Sequence, residues 1–195
     1  MELGWSLVVP AYLLGTFPTA ILVGQRRGHD VTQEGSGNPG ASNTLRTMGP
    51  RAGAAVLAGD LGKGALAAAM GLATGDRAIG VACGLAAVLG HVAPVTRRFR
   101  GGKGVATAAG MAFVLVPLVA LVLAGVWAIV VRLSRTASVG SVAISAGLPL
   151  GAALAGRPAG EVAAFAVCGA LVVLRHRENL RRIRRGEERS LRPGA

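Results

Sequence analysis

Four polar segments interrupt an otherwise apolar chain, and each carries residue types suited to holding an anion. The first reads Gly35-Ser36-Gly37-Asn38-Pro39-Gly40-Ala41-Ser42-Asn43-Thr44-Leu45-Arg46. Glycines at 35 and 37 let successive backbone N–H groups converge on one oxyanion. Ser36, Asn38 and Asn43 add polar side chains, and Arg46 offers a guanidinium fork that matches phosphate. A helix starting near Ser42 would contribute its positive end. The same residues also suit a Gly/Ser/Asn turn that caps a helix.

The second segment runs from Gly90-His91-Val92-Ala93-Pro94 into Phe99-Arg100-Gly101-Gly102-Lys103-Gly104-Val105-Ala106-Thr107. Here Lys103 sits among Gly101, Gly102 and Gly104 at the start of a helix, where backbone amides and one point charge can bind phosphate. Gly104, not Ser or Thr, follows the lysine, so this is no Walker A loop and nucleotide hydrolysis is disfavoured. His91, at the end of an apolar run, reads first as a packing or hydrogen-bonding residue. In the third segment Ser138 and Ser141 stand one helical turn apart beside Arg135, which a helix cap with retained positive charge would also explain. The fourth is His176-Arg177-Glu178-Asn179-Leu180-Arg181-Arg182, in which His176 and Asn179 share a helical face and can reach one hydroxyl or carbonyl. Its arginines read first as snorkelling cations.

The elements that must position these residues are membrane helices. The 195-residue chain is 52% hydrophobic and 15% charged, with mean hydropathy +0.54, a profile outside that of soluble domains. Residues 4–24 contain no charge and, at about 1.5 Å per residue, would span about 31 Å, the depth of a hydrocarbon core. Further apolar runs cover 52–74, 78–95, 105–131, 139–155 and 162–174. Run 105–131 is flanked by basic residues at both ends and is too short for two full spans of about 20 residues each. Pro117 near its middle predicts a turn between two short helices. Asp60 and Lys63, at i and i+3 inside the second run, are expected to pair.

These runs predict an all-α polytopic bundle of about seven transmembrane segments, some short or broken, forming one integral membrane domain over 1–195. The N-terminus is expected outside, and the basic tail from Arg175 and the four polar segments on the cytoplasmic side. Met1-Glu2 lacks a basic n-region and Arg26 and Arg27 follow the first run, so that run is expected to be retained. The net charge of +12 comes from short basic blocks between apolar runs, which excludes a nucleic-acid face and fits loops beside anionic headgroups. Cys83 and Cys168 lie in apolar runs without CxxC spacing and read as small buried residues.

Three stretches together resemble a known family. They are Gly-Ser-Gly-Asn-Pro-Gly-Ala-Ser-Asn from Gly35, the run from Gly90-His91 through Pro94 to Gly101–Thr107, and His176-Arg177-Glu178-Asn179 through Gly186 and Glu188. In order and spacing they resemble the three signatures of the bacterial acyl-phosphate:glycerol-3-phosphate acyltransferase family, over nearly the whole chain. Thr136 departs from the pattern, since many members carry an aromatic residue there. The resemblance implies a seven-helix inner-membrane enzyme that transfers a fatty acyl group from acyl phosphate to the 1-hydroxyl of glycerol 3-phosphate, giving lysophosphatidic acid and phosphate in the first acylation of phospholipid synthesis. Its expected partners are those two substrates, membrane lipids and the enzyme that produces acyl phosphate. Neither a cofactor nor a metal is expected.

The fifth residue after each histidine is Glu34, Thr96 or Arg181, so the His-x4-Asp dyad of other acyltransferases is missing, as is a Gly-x-Ser-x-Gly elbow. Acyl phosphate already carries a good leaving group, so holding two anions together and stabilising the carbonyl oxygen suffices without an acyl-enzyme. Ser36, Arg46 and Lys103 are expected to bind the phosphates and His176 and Asn179 to position the acceptor. Gly35, Gly37, Asn38, Asn43, Gly101, Gly102, Gly104, Ser138 and Ser141 are expected to complete the pocket. The hydroxyl proton passes to His176 or to a donor phosphate oxygen. A transporter for phosphorylated metabolites is the alternative, but its binding residues would lie near the bilayer midplane rather than at span ends.

Overall fold

The computed structural model describes residues 2–191, and its regular structure is helical, with no strand among the described residues. Helix α1 (Glu2–Trp5) leads into α2 (Val8–Gly15) and α3 (Thr19–Gln25), which together make the first span. That span is not the single helix its uncharged sequence suggests. Pro18 lacks an N–H, and its ring conflicts with a carbonyl of the preceding turn, so the chain breaks at Thr16-Phe17-Pro18. The break is satisfied from a neighbouring helix, because Lys63 Nζ donates to the Phe17 carbonyl at 3.2 Å.

Helix α4 (Ala41–Met48) follows the first polar segment, and Gly49 turns it into α5 (Pro50–Leu72), with Pro50 in the first helical turn where its missing N–H costs nothing. Asp76 caps α6 (Arg77–Val92) by accepting from Ala78 N at 2.8 Å, and a 3₁₀ turn, Val95–Arg97, follows it. Helices α7 (Val105–Leu115) and α8 (Pro117–Ser134) are separated at Val116-Pro117, the turn the sequence predicts. The remaining elements are α9 (Ala137–Ser145), α10 (Gly147–Leu154), α11 (Ala159–Arg175) and α12 (Arg177–Arg184). Among the described residues, five helices or helix pairs are long and apolar enough to cross a membrane, and α11 with α12, bent by 54°, adds a sixth if that pair is one span. Helix α7, with 11 residues, is apolar but shorter than these, so the expected count of about seven segments stands only approximately.

Helix α5 is the hub and packs on α2, α4, α6 and α7. Its approach to α7 is a backbone contact. A Cβ at Gly64 would stand 2.0 Å from the Thr107 carbonyl oxygen, and one at Gly110 2.0 Å from that of Leu61. Only glycine permits this spacing, the usual route to tight helix pairs in lipid. Phe165, Met111, Val88 and the free Cys168 lie in the main core, while the free Cys83 is buried between α2, α5 and α6. Leu118, Leu121, Ile129 and Leu133 of α8 are largely exposed, forming an apolar face suited to lipid. Asp60 and Lys63 pair at 2.8 Å inside the bundle, as their spacing predicts.

Candidate active site

All four polar segments meet at one end of the bundle, around a cavity of about 660 Å³. Asn43 builds the first wall. Its Oδ1 accepts from Ser36 N at 2.8 Å, and its Nδ2 donates to the carbonyls of Val31 at 3.1 Å and Glu34 at 3.0 Å. The side-chain amide is thereby occupied in folding the 35–43 loop. Gly35 and Gly37 have φ of +60° and +68°, left-handed values that favour glycine in the turn itself. Ser36 Oγ accepts from Asn38 N at 3.4 Å and faces the cavity. Arg46, one α4 turn on, also lines it, and its buried Nε has no hydrogen-bond partner among the described residues.

The second and fourth segments are joined directly. Lys103 Nζ donates to Asn179 Oδ1 at 2.5 Å. Asn179 Nδ2 donates to Glu188 Oε1 at 2.5 Å, which also accepts from Ser138 Oγ at 2.9 Å, while Arg182 Nε donates to Glu188 Oε2 at 2.8 Å. His176, in the bend between α11 and α12, has Nδ1 at 2.8 Å from the Val172 carbonyl. That nitrogen therefore carries the proton, and Nε2 is the ring nitrogen left for a ligand. Ser141 Oγ donates to the Ala137 carbonyl at 2.9 Å and accepts from Trp127 Nε1 at 3.4 Å.

Burial pulls the Lys103 ammonium down to about 8. Glu188 supports its charge, while Arg182, Arg46 and Arg175 oppose it. Arg46 is shifted down as well, first by burial and then by Arg189. Burial alone would raise Glu188, but hydrogen bonds from Asn179, Ser138 and Arg182 outweigh it and hold the carboxyl below its usual range. Positive charges crowd this end around one ionised carboxylate, so an anionic ligand relieves their repulsion. Beyond them the wall turns apolar, through Ala120, Leu123, Trp127 and Leu148. The cavity thus suits an amphiphile with a phosphate head.

Of the residues expected in the site, Ser36, Asn38, Asn43, Arg46, Lys103, Gly104, Ser138, Ser141, His176 and Asn179 line this one cavity. Gly35, Gly37, Gly101 and Gly102 lie off its wall and act in the loops behind it. Two further residues were not singled out from sequence. Glu188 ties together Ser138, Asn179 and Arg182, and its signal was its place in the third motif. Arg175 donates to the carbonyls of Gly101 at 2.8 Å and Gly102 at 3.2 Å, so the residue that opens the basic tail also fastens the lysine loop.

The family model for glycerol-3-phosphate acyltransferase matches residues 5–186. A glycerol-3-phosphate acyltransferase of Rubrobacter xylanophilus is 43% identical over 94% of this chain and 92% of its own length, and one of Pseudomonas paraeruginosa is 44% identical over 95% and 98%. Among solved structures, PlsY (YgiH), an integral membrane glycerol 3-phosphate acyltransferase, superposes in its glycerol 3-phosphate form with TM-score 0.92. It is 37% identical, with 96% of this chain and 94% of that one covered. Its lysophosphatidic acid form superposes with TM-score 0.90.

Proposed function

This chain belongs to the glycerol-3-phosphate acyltransferase family, and from that premise we propose that it transfers a fatty acyl group from acyl phosphate to the 1-hydroxyl of glycerol 3-phosphate. The observation that carries the site assignment is the Lys103–Asn179 hydrogen bond, which joins two signatures 76 residues apart on one cavity shared with Ser36 and Arg46. The products are lysophosphatidic acid and inorganic phosphate.

Ser36, Arg46 and Lys103 hold the phosphate groups, and His176 and Asn179 place the acceptor beside the acyl carbonyl, whose chain lies along the apolar wall. The glycerol oxygen bonds to the acyl carbon, the bond from that carbon to the phosphate oxygen breaks, and phosphate leaves. Charge on the carbonyl oxygen is stabilised by preset donors, so no acyl-enzyme is needed. Two bases can take the hydroxyl proton: His176 Nε2 and an oxygen of the donor phosphate. His176→Gln separates them, because removing a general base costs about a hundredfold or more, whereas the amide retains much of the positioning.

The protein is an integral membrane acyltransferase. We place its cavity on the cytoplasmic side of the bacterial inner membrane, with the N-terminus outside, because basic loops are retained there. That side also gives access to the enzyme supplying acyl phosphate. A cysteine replacing Gly75 is then labelled by an impermeant reagent from outside; labelling from inside alone reverses the orientation. For the activity, purified protein is given glycerol 3-phosphate with acyl phosphate, acyl-coenzyme A or acyl carrier protein. Lysophosphatidic acid forms with acyl phosphate, and its formation only with another donor overturns the donor assignment. A trapped acyl adduct on Ser36 overturns direct transfer.

A further inference from the structure

Gly102 is not among the residues lining the cavity, and its φ falls outside the left-handed region, so its backbone conformation does not call for a glycine there. His91 does. A Cβ on Gly102 would stand 2.2 Å from His91 Nε2, 2.8 Å from its Cε1 and 3.2 Å from its Cδ2, and these ring atoms are its three nearest neighbours. The Gly102 N–H also donates to the His91 carbonyl at 3.1 Å. One residue of α6 therefore meets both the backbone and the missing side chain of the position preceding Lys103.

The ring is braced from below. His91 is 8% exposed, and its Nδ1 lies 3.6 Å from Asp60 Oδ1, the same oxygen that pairs with Lys63 at 2.8 Å. Lys63 in turn donates to the Phe17 carbonyl at the break in the first span. From its other side the loop is held by Arg175 through the carbonyls of Gly101 and Gly102. A chain of contacts thus runs from Phe17 through Lys63, Asp60 and His91 to the backbone beside Lys103.

We propose that His91 is a positioning residue for the acyl transfer assigned above: its imidazole, braced by Asp60, sets the height of the 101–104 loop and so places the Lys103 ammonium against Asn179. Gly102 is the complement of that ring. The inference rests on the assigned reaction, in which displacement of a binding group by about 1 Å can cost about a hundredfold in rate.

The test is a double-mutant cycle on His91 and Gly102 in the full-length protein, reconstituted in bilayers with acyl phosphate and glycerol 3-phosphate. Asp60 is left intact, because its loss strands the buried Lys63 charge. Gly102→Ala drives a methyl into the ring and lowers kcat/KM about a hundredfold, chiefly through KM. His91→Ala loosens the loop and lowers it about tenfold. The double variant accommodates the methyl in the vacated volume and recovers about tenfold or more over Gly102→Ala, a coupling that independent losses of stability do not produce.

A second readout does not depend on turnover. Lys103 is one of two lysines in the chain, so reductive ¹³C-methylation lets its titration be followed by NMR. It titrates near 8 in the wild type, moves toward 10.5 in Gly102→Ala and returns in the double variant. A double variant as impaired as Gly102→Ala, or a Gly102→Ala protein with wild-type KM and an unmoved Lys103 titration, overturns the proposal. If His91→Ala is lost on extraction, His91→Ser opens the same volume and keeps a hydroxyl for Asp60. Should the wild type make no lysophosphatidic acid, the assigned reaction fails, while the Lys103 titrations still decide whether His91 sets the loop.

Discussion

At the end of the bundle where α6 and α11 begin, Glu161 is enclosed by cations that it satisfies. Arg77 approaches it with two nitrogens, Nε at 2.9 Å and Nη2 at 2.8 Å, and also donates to the Leu115 carbonyl, while Arg157 Nε stands at 3.5 Å. At the opposite end Glu188 is equally well bonded, yet Lys103, Arg46 and Arg182 crowd around it, and the buried Arg46 Nε lacks a partner among the described residues. Both clusters join distant helices through a carboxylate. The first is saturated, and neither Glu161 nor its arginines line the 660 Å³ cavity, so it staples the α7–α8 turn to α6 and α11. The second leaves positive charge unmatched beside the 660 Å³ cavity. Incomplete pairing next to an open volume, rather than charge itself, separates a site from a brace.

Substitutions can break that comparison. Lys103→Ala removes a charge-assisted contact made in the transition state and lowers kcat/KM by about a hundredfold, about 3 kcal/mol, with the fold retained in a thermal scan. Wild-type turnover in this variant would reduce the cavity cluster to another brace. Arg77→Ala has the opposite profile: it weakens the pairing of a buried carboxylate and lowers unfolding stability by about 2 kcal/mol, with kcat/KM unchanged. A raised KM in that variant would show the far end to be part of the site.

The pH dependence sharpens the contrast. Above the Lys103 value of about 8 the free enzyme loses the ammonium, so kcat/KM falls by up to about tenfold per pH unit. Stability moves the other way. The unfolded lysine titrates near 10.5, so between 8 and 10.5 the unfolded chain binds more protons, and this group's contribution to stability rises with pH. Lys103→Arg keeps its charge and flattens both trends; a fall in kcat/KM that survives it belongs to another group. The smallest effect is expected of Ser141→Ala, whose hydroxyl already bonds Ala137 and Trp127. A loss of a few-fold, under about 1 kcal/mol, is expected, and a hundredfold loss would place this serine on the reacting atoms.

Some of this architecture was legible because it is local. Uncharged stretches of span length marked the membrane helices, Pro117 marked the break between α7 and α8, and the i, i+3 spacing of Asp60 and Lys63 marked their ion pair. Ser36, Arg46, Lys103, His176 and Asn179 could be grouped from sequence because anion binding restricts the residue types suited to it and because their order and spacing resemble one family, and the structure brings all five to one cavity. Backbone periodicity and residue chemistry act over a few residues and need no knowledge of the fold.

Other features were decided in three dimensions. The first apolar run carries a break at Pro18 that is stable because Lys63, 46 residues away, reaches the Phe17 carbonyl. Asn43 reads as a ligand donor, yet its amide is consumed by the loop that presents Ser36. Gly101 and Gly102 read as a cradle, yet their backbone is clasped between His91 and Arg175. Glu188 and Arg175 take their roles from partners up to 74 residues distant. By itself the sequence determined which segments enter the membrane and which side chains could meet a phosphate. Tertiary packing decided which of those side chains have polar atoms to spare, because a donor already bonded to the protein is no longer available to a ligand.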